Sequence, residues 1–335
     1  RRWRLDDFAI ARTVGVGGFA RVRLARIKNT SDPEPYALKF WNKCKLSKKF
    51  EGKIPLACTV VRQEFDILSN LTHPFIVNVL TAFHDDKRIM MVYEFVNGGE
   101  MTQVVRTSSQ GGLTLRMIQF FTAELLLAVE YLHDKHILFR DYKPENILFD
   151  CRGHLKVIDF GLAKTLTAKE NFSTNTVCGT MCYFAPELLI KAQYSWPVDW
   201  WAFGAIVFEI ATGDLPFGND EPFKVQQRIM SNRIAWRRNM HAPAKDLVKK
   251  ILVFNPDKRC TSQAQGKQNV KAQKLFAGVD WDEFLELTVY PPWIPPVMSK
   301  DDCSLFREYP ESLEDSGPEL PAKDIKVWNA LLEDF

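Results

Sequence analysis

Residues 138–146 read "LFRDYKPEN". This short stretch crowds together an acid (Asp141), a lysine (Lys143), a second acid (Glu145) and an amide (Asn146), stiffened by Pro144. A loop that only joins two elements has no use for such crowding. A site that moves a highly charged group does. Asp141 would face a substrate hydroxyl, and Lys143 would offset charge on a transferring phosphoryl group. Shortly after, "KVIDFGLAK" (156–164) sets Asp159 behind an apolar strand and ahead of the turn Phe160-Gly161. A carboxylate there can hold a divalent cation while the Phe packs inward, and Asn146 offers a neutral oxygen to a second cation. Oxygen donors suit Mg²⁺, which keeps waters and bridges phosphates. Each residue alone reads equally as a turn or a surface ion pair. "RDYKPEN" and "DFG" separated by a short hairpin leave that reading little room.

The chain around this loop has 335 residues, enough for a sizeable core and two lobes. With 46% hydrophobic and 25% charged residues it reads as soluble and globular. A net charge of +3 gives no general attraction to nucleic acid or to a membrane surface. The longest apolar run, 202–210, is broken by Glu209 and falls short of a transmembrane span. The seven cysteines are scattered, and only Cys178 and Cys182 lie close, without metal-ligand spacing. Reduced thiols in a cytoplasmic protein are expected, with the nucleus as a second compartment. The start at Arg1 reads as the start of a trimmed fragment.

Patterning divides the chain. "FAIARTVGVGGFARVRLARI" (8–27) alternates apolar and polar residues on both sides of its glycines, as a hairpin does. "PYALKFW" (35–41) predicts a third strand, and "VVRQEFDILSNL" (60–71) a helix with Val61, Phe65 and Leu68 on one face. "RIMMVYEFV" (88–96) predicts an apolar strand ending at the hinge Gly98-Gly99. Helices then dominate: 116–136, long and largely buried, and 197–213, closed by Gly213. "TVYPPWIPPV" (288–297) should be extended. The run "NKCKLSKK" (42–49) reads as a solvated helix face.

Glycines between two strands, as in "VGVGGFARV" (14–22), let backbone N–H groups approach phosphate oxygens, and they equally serve an ordinary hairpin. Lys39, on the third strand, reads as an edge charge or as a group anchored by Glu64 on the following helix.

In this order the parts resemble the protein kinases: glycine-rich loop, strand lysine, helix glutamate, catalytic loop, "DFG", and "APE" at 185–187. The resemblance covers nearly the whole chain. It implies an α+β bilobal kinase fold with a small β-rich lobe bearing one main helix, a larger α-rich lobe, and a C-terminal tail wrapping both. The kinase domain would run 8–276, with its small lobe about 8–96 and large lobe about 97–276, and the tail would be 277–335. It implies ATP and two Mg²⁺ ions. Gly15, Gly17 and Ala20 match the three loop glycines. Val14, Val16, Gly18, Phe19, Val22, Ala37, Glu94, Val96, Leu148 and Phe306 complete the nucleotide site, with Val22 over the adenine. Lys39 would hold the α- and β-phosphates and pair with Glu64. Asp141 would be the base, Lys143 its catalytic neighbour, and Asn146 and Asp159 the metal ligands. Asp199 would brace the catalytic loop, and Glu187 would pair with Arg259. Catalysis in such a site is mostly positioning and electrostatic stabilisation.

"DYKPEN", "CGTMCYFAPE", "DWWAFG" and the tail resemble the AGC group, and within it the cyclic-nucleotide-dependent kinases. "GVGGFARV" and "LFREYPES" lean toward the cGMP type. The resemblance places Tyr309 near the peptide and docks Leu332 and Phe335 in a groove on the small lobe. The acidic, Pro-rich tail from 309 to 324 is expected to be mobile in its middle. Glu100, Glu145 and Glu209 match positions that hold basic residues upstream of a target Ser or Thr. Bidentate, charge-assisted pairing then favours Arg over Lys. Val177, Met181 and Phe184 would form an apolar pocket for the residue after the target. Thr176 matches an activation-loop phosphorylation site, with Arg140 and Lys164 as partners for its phosphate.

The expected activity is ATP-dependent phosphorylation of Ser or Thr in Arg-rich contexts, in cyclic-nucleotide signalling. Expected partners are protein substrates with upstream Arg and a cyclic-nucleotide-binding regulatory subunit or domain. Neither nucleic acid nor a transmembrane segment is expected. Several residues depart from the pattern. Ala20 replaces a glycine, Phe139 stands where many kinases have His and should pack on Phe160, and Tyr93 guards the rear of the ATP pocket. Met181-Cys182 replace Pro-Glu. Asn175 and Gln226 replace aromatic residues that help to dock a regulatory subunit. The alternatives are a pseudokinase or scaffold, which the presence of Lys39, Glu64, Asp141, Asn146 and Asp159 opposes, and a small-molecule kinase, which "APE" and the glutamates oppose.

Overall fold

The alternating stretch around the glycines folds as a hairpin, β1 (Phe8–Val16) with β2 (Ala20–Ile27). The computed structural model describes residues 3–18, 20–31, 34–108, 111–261, 266–311 and 320–335. β3 (Pro35–Asn42), β4 (Val79–His84) and β5 (Arg88–Glu94) complete an antiparallel five-stranded sheet in the order β1-β2-β3-β5-β4. Two helices, α1 (Lys43–Lys49) and α2 (Ile54–Leu68), lie between β3 and β4. One side of the sheet buries Phe8, Ala25, Leu38, Phe40, Phe83, Met90 and Val92. On α2, Val61, Glu64 and Leu68 recur at helical spacing and all are buried. These elements belong to a unit made of Arg1–Thr72, Val77–Gly99 and Pro296–Phe335.

The second unit comprises His73–Ile76 and Glu100–Pro295. His73–Ile76 precedes the expected lobe boundary in sequence, yet it joins this unit because Phe75 O accepts from Val157 N at 2.9 Å and Ile76 bridges to Val157. Its helices include α3 (Met101–Arg106) and α4 (Leu115–Asp134). α4 starts where Thr114 Oγ1 accepts from Met117 N. It is buried on nearly every side, which an all-round apolar helix requires. Short strands follow: β6 (Ile137–Leu138), β7 (Ile147–Phe149), β8 (Leu155–Val157) and β9 (Lys164–Thr165), pairing as β6-β9 and β7-β8. They frame residues 138–146 and fix where those side chains start. Then come α5 (Pro186–Leu189) and α6 (Pro197–Thr212), which opens on Pro and closes on Gly213 at φ 76°. α7 (Pro222–Met230), α8 (Ala242–Ile251), α9 (Gly266–Lys271) and α10 (Trp281–Leu285) complete the unit. Residues 288–297 form no helix, as their prolines require.

The segment expected as one tail is divided. Up to Pro295 it belongs to the helical unit, where Phe284 of α10 packs on Phe120 of α4 at 5.1 Å. From Pro296 it belongs to the sheet unit, ending in α11 (Ala322–Leu331). The acidic stretch 312–319 expected to be mobile lies outside the described residues. The apolar end docks as expected: Trp328, Leu332 and Phe335 are buried, with Phe335 edge-on to Phe65 at 5.1 Å.

One expectation is corrected. "NKCKLSKK" is helical, but Lys43 is fully buried rather than solvated. Its Nζ donates to Asp85 O at 2.6 Å and Asn329 Oδ1 at 3.2 Å, and burial lowers its pKa to about 8.

Candidate active site

The sheet unit carries one set of expected residues. Gly17 N–H donates to Ala20 O at 2.8 Å, and Gly15 pairs with Val22. Gly15, Gly17 and Gly18 have no positive φ, and Ala20, which replaces a glycine, opens strand β2. Val16 is exposed near the tip, and Phe19 lies outside the described residues. Val14 is buried with Leu24 and Cys303, and Val22, Phe95 and Phe306 pack against them. The rings of Phe95 and Phe306 stack at 5.6 Å. This gathers Val14, Val22 and Phe306 in one apolar cluster. Ala37 sits between Leu24 and Tyr93 in the ladder. Glu94 N–H donates to Asn78 O, and Val96 is buried.

Lys39 and Glu64 meet. Nζ lies 2.8 Å from Oε1 and 3.1 Å from Oε2, and the glutamate side chain is 3% exposed. Lys39 also stands over the Trp41 ring at 4.8 Å. A buried carboxylate needs such partners, because burial without them costs several kcal/mol, on the order of 3–5.

The helical unit carries the rest. Asp141 is the hub of its loop: Oδ2 accepts from Lys143 Nζ at 2.7 Å and Asn146 Nδ2 at 2.9 Å, and Oδ1 accepts from Thr180 Oγ1 at 2.9 Å. Lys143 Nζ also donates to Thr180 Oγ1 at 3.0 Å. Asp199 holds the loop from its own buried position. Its Oδ2 accepts from Phe139 N and faces His133 Nε2, and Oδ1 accepts from Arg140 N, all within 3.0 Å. Asp159 is exposed and left-handed at φ 62°, an uncommon conformation for a residue with a side chain. Phe160 behind it is buried, edge-on to Phe139 at 5.0 Å, so the packing expected of Phe139 is present. Ile158 N donates to Asn146 O at 2.9 Å, which ties the two expected metal ligands into adjoining backbone. Leu148 is nearly buried on β7. Glu187 and Arg259 form a buried bidentate pair at 2.7 and 2.8 Å.

Among the described residues, no group of three or more His, Cys, Asp or Glu is placed to hold a metal unaided. Asn146 and Asp159 together offer an amide oxygen and a carboxylate. That donor set fits an ion that keeps waters and takes further oxygens from phosphates.

Of the three glutamates expected to read a substrate, Glu145 acts on both of the others. Burial raises Glu100, and the nearby Glu145 charge raises it further. Burial raises Glu209 to about 7, with Glu145 again adding to the rise and the Tyr183 hydroxyl, 2.6 Å from Oε2, opposing it. Val177 is exposed, Met181 half-buried and Phe184 buried. Met181 and Phe184 are joined by backbone at 3.0 Å.

Thr176 is exposed, and its carbonyl accepts from the Tyr194 hydroxyl. Lys164 Nζ is turned to Glu170 at 2.8 Å and Thr174 Oγ1 at 3.3 Å, and Arg140 Nε donates to Leu162 O. Among the described residues no hydrogen bond joins the Thr176 side chain to Arg140 or Lys164. Sequence reading assigned no role to Thr180, Tyr183 or His133. Thr180 sat inside the quoted "CGT" at a fixed distance before "APE". Tyr183 and His133 gave no local signal, because their partners Glu209 and Asp199 lie far along the chain.

A strand lysine paired with a helix glutamate, a loop aspartate ringed by lysine, amide and hydroxyl, and a "DFG" turn define a phosphoryl-transfer enzyme of the protein kinase class. The protein kinase domain model matches residues 8–271, and the chain belongs to that family. It is a serine/threonine protein kinase. Members of the family use ATP and Mg²⁺. The chain is similar to the cAMP-dependent protein kinase catalytic subunit PRKX of Homo sapiens, 35% identical over 97% of this chain and 87% of that protein. It is similar to the cAMP-dependent protein kinase catalytic subunit 3 of Drosophila melanogaster, 34% identical over 98% of this chain and 54% of that protein. It also resembles the cAMP-dependent protein kinase type 3 of Saccharomyces cerevisiae, 35% identical over 92% of this chain and 75% of that protein. All three are named cAMP-dependent. Among the described residues no helix is long and apolar enough to cross a membrane.

Proposed function

We propose that this kinase transfers the γ-phosphoryl group of ATP to Ser or Thr in peptides with Arg upstream of the target, within cyclic-nucleotide signalling. The observation that carries the activity is the Asp141 hub. A carboxylate fixed by Lys143, Thr180 and Asn146 is aimed without help from substrate. In this reading Asp141 accepts the proton of the substrate hydroxyl, and Lys143 turns from Asp141 to the transferring group. Lys39 holds the α- and β-phosphates while Glu64 holds Lys39. Asn146 and Asp159 would hold Mg²⁺, which supplies charge neutralisation at the phosphates when bound. The backbone of 14–18, with Ala20, Val22, Ala37, Glu94, Val96, Leu148 and Phe306, receives the nucleotide.

Substrate preference follows from Glu100, Glu145 and Glu209. The Glu145 charge raises both Glu100 and Glu209, so it lies within electrostatic reach of each, which supports an acidic patch suited to guanidinium groups. The relatives' names supply the cyclic-nucleotide context, and a regulatory subunit or domain that binds cyclic nucleotides is the proposed partner. Thr176 is proposed as the regulatory phosphorylation site, with Lys164 and Arg140 as its partners.

A peptide-library phosphorylation assay tests this. Transfer should fall at least tenfold when upstream Arg is neutralised, the loss of one or more charge-assisted pairs. No loss would remove the basic preference. ATP binding without transfer to any peptide would instead favour the pseudokinase reading.

A further inference from the structure

In the β3-β5 ladder Lys39 stands opposite Met91 and Ala37 opposite Tyr93. Alternation puts all four side chains on one face of the sheet. The Tyr93 ring is 7% exposed, and its hydroxyl donates to Glu64 Oε1 at 2.8 Å, with Met91 Sδ at 3.2 Å. This is the same carboxylate oxygen that accepts the shorter bond from Lys39. Among its partners Glu64 therefore has two unlike donors: a cation on a flexible stem, and a neutral hydroxyl on a rigid ring of β5.

The two donors differ in what they can do during turnover. An ammonium has three protons, and two are aimed at Glu64 here. A lysine that meets phosphate oxygens must share them. A phenol has a single proton, and in a buried site its best acceptor is the carboxylate. Tyr93 therefore keeps its grip on Glu64 whether or not Lys39 is engaged elsewhere. We propose that Tyr93 is a positioning residue for phosphoryl transfer: its hydroxyl fixes the Glu64 carboxylate, so that Lys39 is aimed and the glutamate stays anchored when Lys39 turns to the nucleotide. This rests on the reading of Lys39 and Glu64 given under Proposed function. Nothing about a bulky residue behind a nucleotide requires a hydroxyl, so the role belongs to the oxygen atom and not to the ring.

The test is a double-mutant cycle on the full chain, with kcat and KM for ATP measured on an Arg-containing peptide. Tyr93→Phe keeps the ring and removes the donor. It should lower kcat/KM for ATP about tenfold, the effect of one hydrogen bond to a buried charge. In a Glu64→Ala background the same change should cost less than about twofold, because the hydroxyl then has nothing to position. Tyr93→Met, which fills the space without a hydroxyl, should match Tyr93→Phe in both backgrounds. A Tyr93→Phe enzyme within about twofold of wild type, or an equal cost in both backgrounds, overturns the proposal while leaving the roles of Lys39 and Glu64 standing. A Glu64→Ala enzyme as active as wild type overturns those roles instead.

Discussion

Arg62 grips Asp334 through two parallel hydrogen bonds, Nη1 to Oδ1 at 2.7 Å and Nη2 to Oδ2 at 2.8 Å. Arg62 lies two residues before Glu64 on α2, and Asp334 is the penultimate residue of the chain. On the other side of Glu64, Phe65 receives the ring of Phe335. The last residues therefore clasp the helix that bears the glutamate. Asp334 is largely exposed, and solvent screening leaves its ion pair a small share of that clasp. Trp328 carries far more. It is fully buried and its Nε1–H donates to Ser47 Oγ at 3.1 Å. Trp328→Ala should cost about 3–5 kcal/mol in urea unfolding of the sheet unit, whereas Asp334→Asn should barely move the midpoint. Equal effects of the two changes would contradict this division.

Glu209, proposed to hold an upstream arginine, should make substrate affinity depend on pH. Its pKa is raised to about 7, chiefly by burial, and an arginine needs the ionised form. The carboxylate is mostly protonated at pH 6 and mostly ionised at pH 8. KM for an Arg-containing peptide should thus fall about several-fold from pH 6 to 8. Glu209→Gln should flatten the profile at the high-KM end. The Tyr183 hydroxyl stabilises the ionised form, so Tyr183→Phe should move the inflection to higher pH. A flat wild-type profile would remove Glu209 from substrate binding.

The activation segment holds Lys164 on Glu170. A phosphate on Thr176 offers about two negative charges and three acceptors, enough to draw Lys164 and Arg140 into new charge-assisted bonds. Thr176→Ala should therefore cut peptide phosphorylation about tenfold or more against enzyme phosphorylated at Thr176. Mass measurement of the wild-type protein with and without phosphatase, beside the same assay, checks it. Unchanged turnover would end the regulatory role.

Much of this was legible in the sequence because its signals are local. The hairpin of β1 and β2, the "DFG" turn and the loop at 138–146 each show their pattern within about a dozen residues. Even Lys39 and Glu64, on a strand and the next main helix, could be paired by position. Lys43 could not. It sits in a run of lysines that reads as solvated, and it is buried by Asp85 in a turn and by Asn329 at the far end of the chain. The Tyr93 hydroxyl, the Tyr183 contact with Glu209 and the Glu170 contact with Lys164 were hidden likewise. Each depends on the direction of a side chain after folding, which residue type and spacing leave open. The ionisation of Glu209 was hidden too, because burial and not sequence sets it.

Gly153 is where a single methyl group should reach the candidate site. It lies in the turn between β7 and β8 at φ 96°, and an added Cβ would stand 2.2 Å from Trp293 O and 3.0 Å from Pro291 Cβ. The backbone conformation alone costs a side chain about 1–2 kcal/mol. The overlap is with a backbone oxygen, so it is relieved only by moving the Pro-rich segment, whose Trp293 ring packs on Phe149 of β7 at 5.1 Å. β7 begins immediately after Asn146, and β8 ends two residues before Asp159. A hairpin pushed aside therefore shifts both expected metal ligands. Gly153→Ala should lower stability by more than about 2 kcal/mol and also lower kcat, although the residue touches no substrate. Chemical unfolding and peptide phosphorylation measured on the same preparation check both effects. A variant equal to wild type in both would mean that residues 288–297 yield freely and do not set the loop.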